Sequence, residues 1–174
     1  MKQASPDSRI VPDFSWSEID TVLLDMDGTL LDKYFDDFFW EKFVPLTFAE
    51  KKGIAIAEAE DKLLERYRSV ESTLQWTDLN FWSDQLDLDI FELKCRIDHL
   101  INVHPYVVDS LEFARKMRKR ICLITAAHPF SLGLKLRKTD IGHLFHEITC
   151  TDEVGLPKED PNFWVELKKI LYFD

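Results

Sequence analysis

A chain of 174 residues has the length of one domain with room for an insertion, and its 45% hydrophobic and 31% charged residues exclude global disorder. Its formal net charge of −10, from 22 Lys and Arg against 32 Asp and Glu, argues against nonspecific binding to nucleic acid or an anionic membrane, since both need surplus cation. No apolar run nears the roughly 20 residues of a membrane span, and three scattered cysteines (Cys95, Cys122, Cys150) fit reduced thiols in a cytoplasmic protein better than a disulfide framework.

Met1 to Trp16 has no apolar core and reads as a polar lead-in rather than a signal peptide, with helix-start chemistry near Ser15 and Ser17. Thr21 to Leu24 is a short β-branched and aliphatic run ending at Asp25, the pattern of a buried parallel strand. From Asp32 to about Val103 the pattern is helical. Phe35, Phe38, Phe39, Trp40 and Phe43 recur at spacings of three and four, and Gly53 breaks the chain. Leu63, Tyr67, Val70 and Leu74 share a helical face, Phe81, Trp82 and Leu86 mark a third segment, and Ile90 to Ile101 a fourth. So long a strand-free stretch exceeds an ordinary connection and suggests a helical insertion.

Val108 to Arg120 reads as a further helix, with Ser110, Phe113, Ala114 and Met117 on one side, Leu111 flanking them, and a basic end suited to the helix dipole. Ile121 to Ile124 is a second buried strand ending at Thr125, Leu132 to Lys138 a helix, and Glu147 to Cys150 a third, weaker strand. Pro161 to about Leu171 is a last helix, with Phe163, Trp164, Leu167, Ile170 and Leu171 on one face. Because that helical period runs through Ile170, the final Ile170 to Asp174 is not read as a strand, nor Asp174 as a metal ligand. Strands alternating with helices imply an α/β fold with a parallel, doubly wound, Rossmann-like sheet, whose ligands sit beyond the carboxyl ends of the strands.

Asp25-Met26-Asp27-Gly28-Thr29 is the sharpest local feature. Two carboxylates at a strand end repel unless a cation or a proton compensates, and their oxygens suit Mg²⁺. Gly28 permits a sharp turn, and the Thr29 hydroxyl and nearby amides could meet an anion. One carboxylate can accept a phosphoryl group while another protonates the leaving oxygen and later activates water. The plainer reading is a capped turn between strand and helix. An EF-hand loop is excluded, because its glycine stands at position six and Gly28 is fourth from Asp25. His99, His143 and His146 show no zinc-ligand spacing. His128 lies close after Thr125 and could face a substrate, as could Asp36 and Trp40 early in the insertion; Trp40 or Trp76 could stack on a base, although core packing explains either.

The stretch Leu23 to Leu30 resembles the first motif of the haloacid dehalogenase-like phosphohydrolase superfamily, Ile124-Thr125 its second and Lys158 its third. VLLDMDGTLLD, FDDFFW, TAAHP and GLPKEDPNFW resemble, more narrowly, a GMP/IMP-type 5′-nucleotidase branch. The resemblance implies a core from residues 1–32 and 104–174 with a helical cap over 33–103. It makes Asp25 the nucleophile, Asp27 the general acid and base, and the Asp25 carboxylate with the Asp27 backbone carbonyl the Mg²⁺ donors. Gly28, Thr29, Thr125, Ala126 and Lys158 would bind phosphate. The implied partner is a small phosphate ester, in particular a purine mononucleotide, with neither nucleic acid nor membrane. Ala126 stands where relatives often carry Asn, with the backbone amide retained. The fourth family motif, an acidic pair on a further strand beside the one ending at Asp25, is not found before Asp174, so a shortened chain with an exposed strand edge is expected. Two alternatives follow: a catalytically impaired remnant that binds phosphate or a partner, and a phosphoglycolate phosphatase or sugar-phosphate mutase of the same fold.

Overall fold

The computed structural model describes residues 15–173; the lead-in up to residue 14 and Asp174 lie outside the described residues. Three parallel strands, β1 (Thr21–Leu24), β2 (Arg120–Thr125) and β3 (Glu147–Cys150), form one sheet in the order β1-β2-β3. Leu23 pairs with Cys122, and Ile124 with Thr149. β2 lies between the other two, and Ile121 to Ile124 are almost wholly inaccessible, which explains an unbroken apolar run. β1 is half-buried along its whole length and is a sheet edge among the described residues.

Between β1 and β2 the chain builds helices: α1 (Tyr34–Phe38), a π-helical turn at Phe39–Phe43, α2 (Val44–Lys52), α3 (Ile56–Val70), α4 (Leu79–Leu86), α5 (Ile90–Arg96) and α6 (Val107–Lys116). Local chemistry sets their limits. Asp78 accepts the Asn80 and Phe81 amides at the start of α4, and Asp89 accepts the Glu92 amide at the start of α5. Gly53 closes α2 at φ +65°. After β2 come α7 (Pro129–Thr139), then β3, α8 (Thr151–Val154) and α9 (Pro161–Leu171), the last begun by an Asp160 cap and Pro161 in its first turn.

The larger apolar cluster is continuous from the inserted helices to the sheet: Phe35, Phe39, Leu63, Trp82 and Ile90 belong to the same cluster as Leu111, Ile121 and Leu123. The other sheet face is covered by α9, whose Phe163, Leu167 and Leu171 pack on Cys122 and Ile124. All three cysteines are free thiols, and no described helix is long and apolar enough to cross a membrane.

The strands fall where the sequence puts them, and four helical details differ. α3 ends at Val70, and Leu74 belongs to a separate 3-10 turn (Leu74–Trp76), because the chain reverses at Ser72 with φ +61°. α6 stops at Lys116. Arg118 takes φ +57°, and Arg120 already belongs to β2. The buried face of α6 is Val107 and Leu111, with Ala114 packed against the same core, while Ser110, Phe113 and Met117 are exposed; most of the face read from periodicity is turned away from the core. In α9 the buried series is strictly every fourth residue, 163, 167 and 171, which leaves Trp164 and Ile170 outside it.

Candidate active site

Just past the end of β1, Met26 is fully buried in the core, while Asp25 and Asp27 on either side of it are half-buried. The Met26 carbonyl then accepts the amides of Thr29, Leu30 and Leu31 at 3.3, 2.9 and 2.9 Å, and the Gly28 amide donates to Leu31 O at 2.8 Å. This tight loop needs Gly28 at φ +83°, and a Cβ there would also stand 3.1 Å from two carbons of Lys33. The chain leaves for the inserted helices beside the point where it returns. Asp32 N donates to Asn102 O at 3.1 Å, and His104 N to Leu30 O at 2.9 Å.

One half of the site lies at the strand ends. Lys158, in the loop between α8 and α9, places Nζ 2.6 Å from Asp25 Oδ1 and 3.1 Å from Ile124 O. It therefore ties the end of β1 to the end of β2. Thr125 is buried, and its Oγ1 accepts the Ala127 amide at 3.0 Å, so the hydroxyl proton is available to another acceptor.

The other half joins the loop after β1 to three helices through buried charge. Lys135 of α7 sets Nζ 2.6 Å from Asp27 Oδ1 and 2.6 Å from Asp36 Oδ2. Asp36 of α1 gives its other oxygen to Lys94 Nζ of α5 at 2.8 Å. The Lys94 ammonium also stands 4.8 Å from the Phe35 ring centroid, 4.5 Å from that of Phe39 and 5.6 Å from that of Trp40. Both lysine side chains are at most 3% exposed. Burial raises Asp27 above its ordinary carboxylate value, against the pull of Lys135. Burial acts the same way on Asp36, but Lys94 and Lys135 together outweigh it and hold that carboxyl below the usual range. Lys94 is lowered by burial despite Asp36. For Lys135 burial is overcome by Asp36 and Asp27, and its value is raised.

Above this floor opens a cleft of about 510 Å³, bounded by Asp27, Asp36, Trp40, Lys94, His128 and Lys135, among others. Tyr67, Arg68, Glu71 and Trp76 form its far wall. A smaller lobe of about 150 Å³ reaches Lys158, and Glu71, Trp76, Thr77 and Ala126 line both. The chain segment after α3 therefore borders both lobes.

The structure thus brings together Asp25, Asp27, Ala126, Lys158, Asp36, Trp40 and His128 at the cleft or its floor, with Thr125 buried beneath. Gly28 and Thr29 are exposed and line neither lobe. Trp40 packs edge-on to Phe39 and Tyr67 as well as lining the cleft. The His128 Nδ1 accepts the Phe130 amide at the start of α7, and its Nε2 lies 3.6 Å from Asp78 Oδ1, so two helix starts meet at this wall. Sequence reasoning missed Lys94 and Lys135. The signal was present: Lys94 shares the apolar face of Ile90, Leu93 and Ile97, and Lys135 the buried face of Ser131 and Leu132. A lysine on the buried side of a helix needs a buried anion.

Across residues 19–174 the chain matches the haloacid dehalogenase-like hydrolases. It belongs to that family. The GMP/IMP nucleotidases YrfG of Escherichia coli K12 and Shigella flexneri are each 39% identical over 150 residues, covering 86% of this chain and 68% of the relative. Among solved structures, a HAD phosphatase from Thermococcus onnurineus superposes with a TM-score of 0.76 at 26% identity, over 90% of this chain and 73% of that one. CbbY from Rhodobacter sphaeroides, solved with phosphate, superposes with a TM-score of 0.62 at 15% identity, over 89% and 73%. The three-stranded parallel sheet and its flanking helices are thus a haloacid dehalogenase-like, Rossmann-type core.

Asp25 and the Asp27 carbonyl are hard oxygen donors, and that carbonyl accepts no backbone hydrogen bond among the described residues. Mg²⁺ commonly binds one or two carboxylates and keeps several waters, so this donor set fits it. Among the described residues no group of three or more His, Cys, Asp or Glu side chains gathers to hold a metal.

Proposed function

We propose that this chain hydrolyses phosphate monoesters through a phosphoryl group carried on Asp25, and that its substrates are purine 5′-mononucleotides. The observation that carries this reading is the pairing of Asp25 with Lys158 at 2.6 Å, with Asp27 two residues away on the cleft floor. The nucleotide class is supported by the 39% identity to the GMP/IMP nucleotidases and by a cleft with aromatic walls.

In the first step an Asp25 carboxylate oxygen attacks phosphorus as the bond to the leaving oxygen breaks. That oxygen takes the proton of the Asp27 carboxyl and departs as the nucleoside 5′-hydroxyl. In the second step water gives a proton to the Asp27 carboxylate and attacks phosphorus, which restores Asp25 and frees phosphate. A raised Asp27 suits an acid that must hold its proton until the leaving group needs it. Lys158 holds a non-bridging phosphate oxygen, with the Thr125 hydroxyl and the Ala126 amide as further donors, where charge builds up during transfer. The Asp25 carboxylate and the Asp27 carbonyl would hold Mg²⁺, which supplies charge neutralisation for the transferred group when bound.

Turnover of GMP, IMP and p-nitrophenyl phosphate with Mg²⁺, compared with Asp25→Asn, tests the reading. Loss of turnover in the variant by about 10³-fold or more supports it, since removing a nucleophile commonly costs that much. Undiminished turnover in Asp25→Asn rejects it. Chelation by EDTA is expected to stop turnover and added Mg²⁺ to restore it.

A further inference from the structure

We propose that Lys135 is a positioning residue for Asp27: its ammonium pins Oδ1 and leaves Oδ2 as the single oxygen that serves the leaving group. The inference rests on the functional reading above and adds a residue outside the sequence motifs that carry it.

Lys135 reaches Asp27 from α7, which is 108 positions away in sequence, and its side chain is 2% exposed. A lysine buried to this degree has lost its hydration and is held by its two carboxylate partners. One partner, Asp36, is itself held by Lys94 through its other oxygen. Asp36 thus has both oxygens engaged, and the Lys135 ammonium sits in a fixed place between Asp36 and Asp27. Asp27 differs from Asp36 in that, among the described residues, only Oδ1 is bound, and the residue lines the cleft. A carboxyl fixed at one oxygen has lost its freedom to turn about its terminal bond, so the other oxygen keeps one position relative to Asp25. Lys94 reinforces the arrangement from the inserted helices, with three aromatic rings around its ammonium. In the first chemical step the proton moves from Asp27 Oδ2 to the leaving oxygen as the phosphorus–oxygen bond breaks. Lys135 touches neither phosphorus nor the leaving group, and acts through Asp27.

The test exploits the leaving group. The 5′-hydroxyl of a nucleotide is a poor leaving group and needs the proton, whereas p-nitrophenolate leaves without one. In single-turnover measurements, which read the first step apart from the Asp27-assisted hydrolysis that both esters share, Lys135→Met is expected to slow release of the nucleoside from GMP by about 10²-fold, the low end of what a positioned acid supplies, and release of p-nitrophenolate by less than about fivefold. KM for each should change little. Because Lys135→Met leaves two carboxylates facing each other, the double variant Lys135→Met with Asp36→Asn is measured beside it; it restores the charge balance and keeps an amide oxygen for Lys94. The double variant is expected to retain the selective loss on GMP, and its turnover of p-nitrophenyl phosphate reports that it is folded. Equal losses on both esters in Lys135→Met would overturn the inference, as would recovery of the parent GMP rate in the double variant, since Lys135 would then only balance Asp36. With Asp25→Asn inactive on both esters, either of those results defeats the role of Lys135 alone. Turnover that survives Asp25→Asn defeats instead the functional reading on which the inference stands.

Discussion

The two halves of the cleft floor are built differently. The Asp25–Lys158 pair bridges loops of the sheet itself, and both side chains keep contact with solvent, at 36% and 20% exposed. The Asp27–Lys135–Asp36–Lys94 chain joins the loop after β1 to three helices, α7, α1 and α5, and buries both cations. An ion pair at a solvated strand end can be broken and remade as substrate arrives. A buried chain cannot, because each charge removed strands its neighbour in a medium that solvates it poorly. The first half is suited to exchanging partners and the second to holding a geometry.

Substitutions at each half should separate these behaviours. The largest stability effect is expected at Asp36, which is bonded to both lysines. Asp36→Asn leaves their buried cations short of a counter-charge and should cost about 3–5 kcal/mol in urea unfolding. A loss below 1 kcal/mol would mean the chain is no more rigid than a surface pair. Lys158→Ala should leave unfolding nearly unchanged and lower kcat by about 10²–10³-fold, the usual loss of one fixed donor to developing charge. Trp76→Ala, on the far wall, should raise KM for GMP by about tenfold, as expected for one lost base–ring stack, and leave p-nitrophenyl phosphate unaffected. An equal change for both esters would place the base elsewhere. The smallest effect is acidic. Asp36 is held below its ordinary 3.8 because its two lysines outweigh its burial, so its stabilisation is present above pH 3.8 and is lost as pH falls through the lower folded value. The acid limb of a pH–stability curve should therefore be shallower in Asp36→Asn than in the parent.

The same contrast decides what the sequence disclosed. Asp25, Asp27, Thr125 and Lys158 were legible because each follows a strand, or closes the loop after one, and parallel strands deliver such residues to a common edge. Asp36 was noticed for its place near the start of the insertion, but its partners were not. Periodicity marks Lys94 and Lys135 as lying on buried faces, but pairing them with Asp36 required knowing that α5 and α7 turn those faces toward α1, and periodicity within a helix does not say which neighbour a face meets. The same gap misplaced the buried side of α6, where Phe113 and Met117 gave a plausible stripe that the sheet does not use. The positions of β1 and β2 were legible because a short, largely apolar run bounded by polar residues has one sensible environment, whereas an amphipathic helix has two or three.

The crossing at Asp32 and Asn102, with Leu30 bonded to His104 beside it, makes the inserted helices a detour that starts and finishes at one spot. Such a detour can be lengthened, trimmed or traded for another without changing the spacing of the strands on either side, because loop-closure entropy rises only slowly with added residues. Substrate preference can then diverge through the detour while the chemistry of the sheet edge stays as it is. What a replacement must still supply is a carboxylate where Asp36 meets Lys135, and that single demand is the toll on an otherwise open exchange.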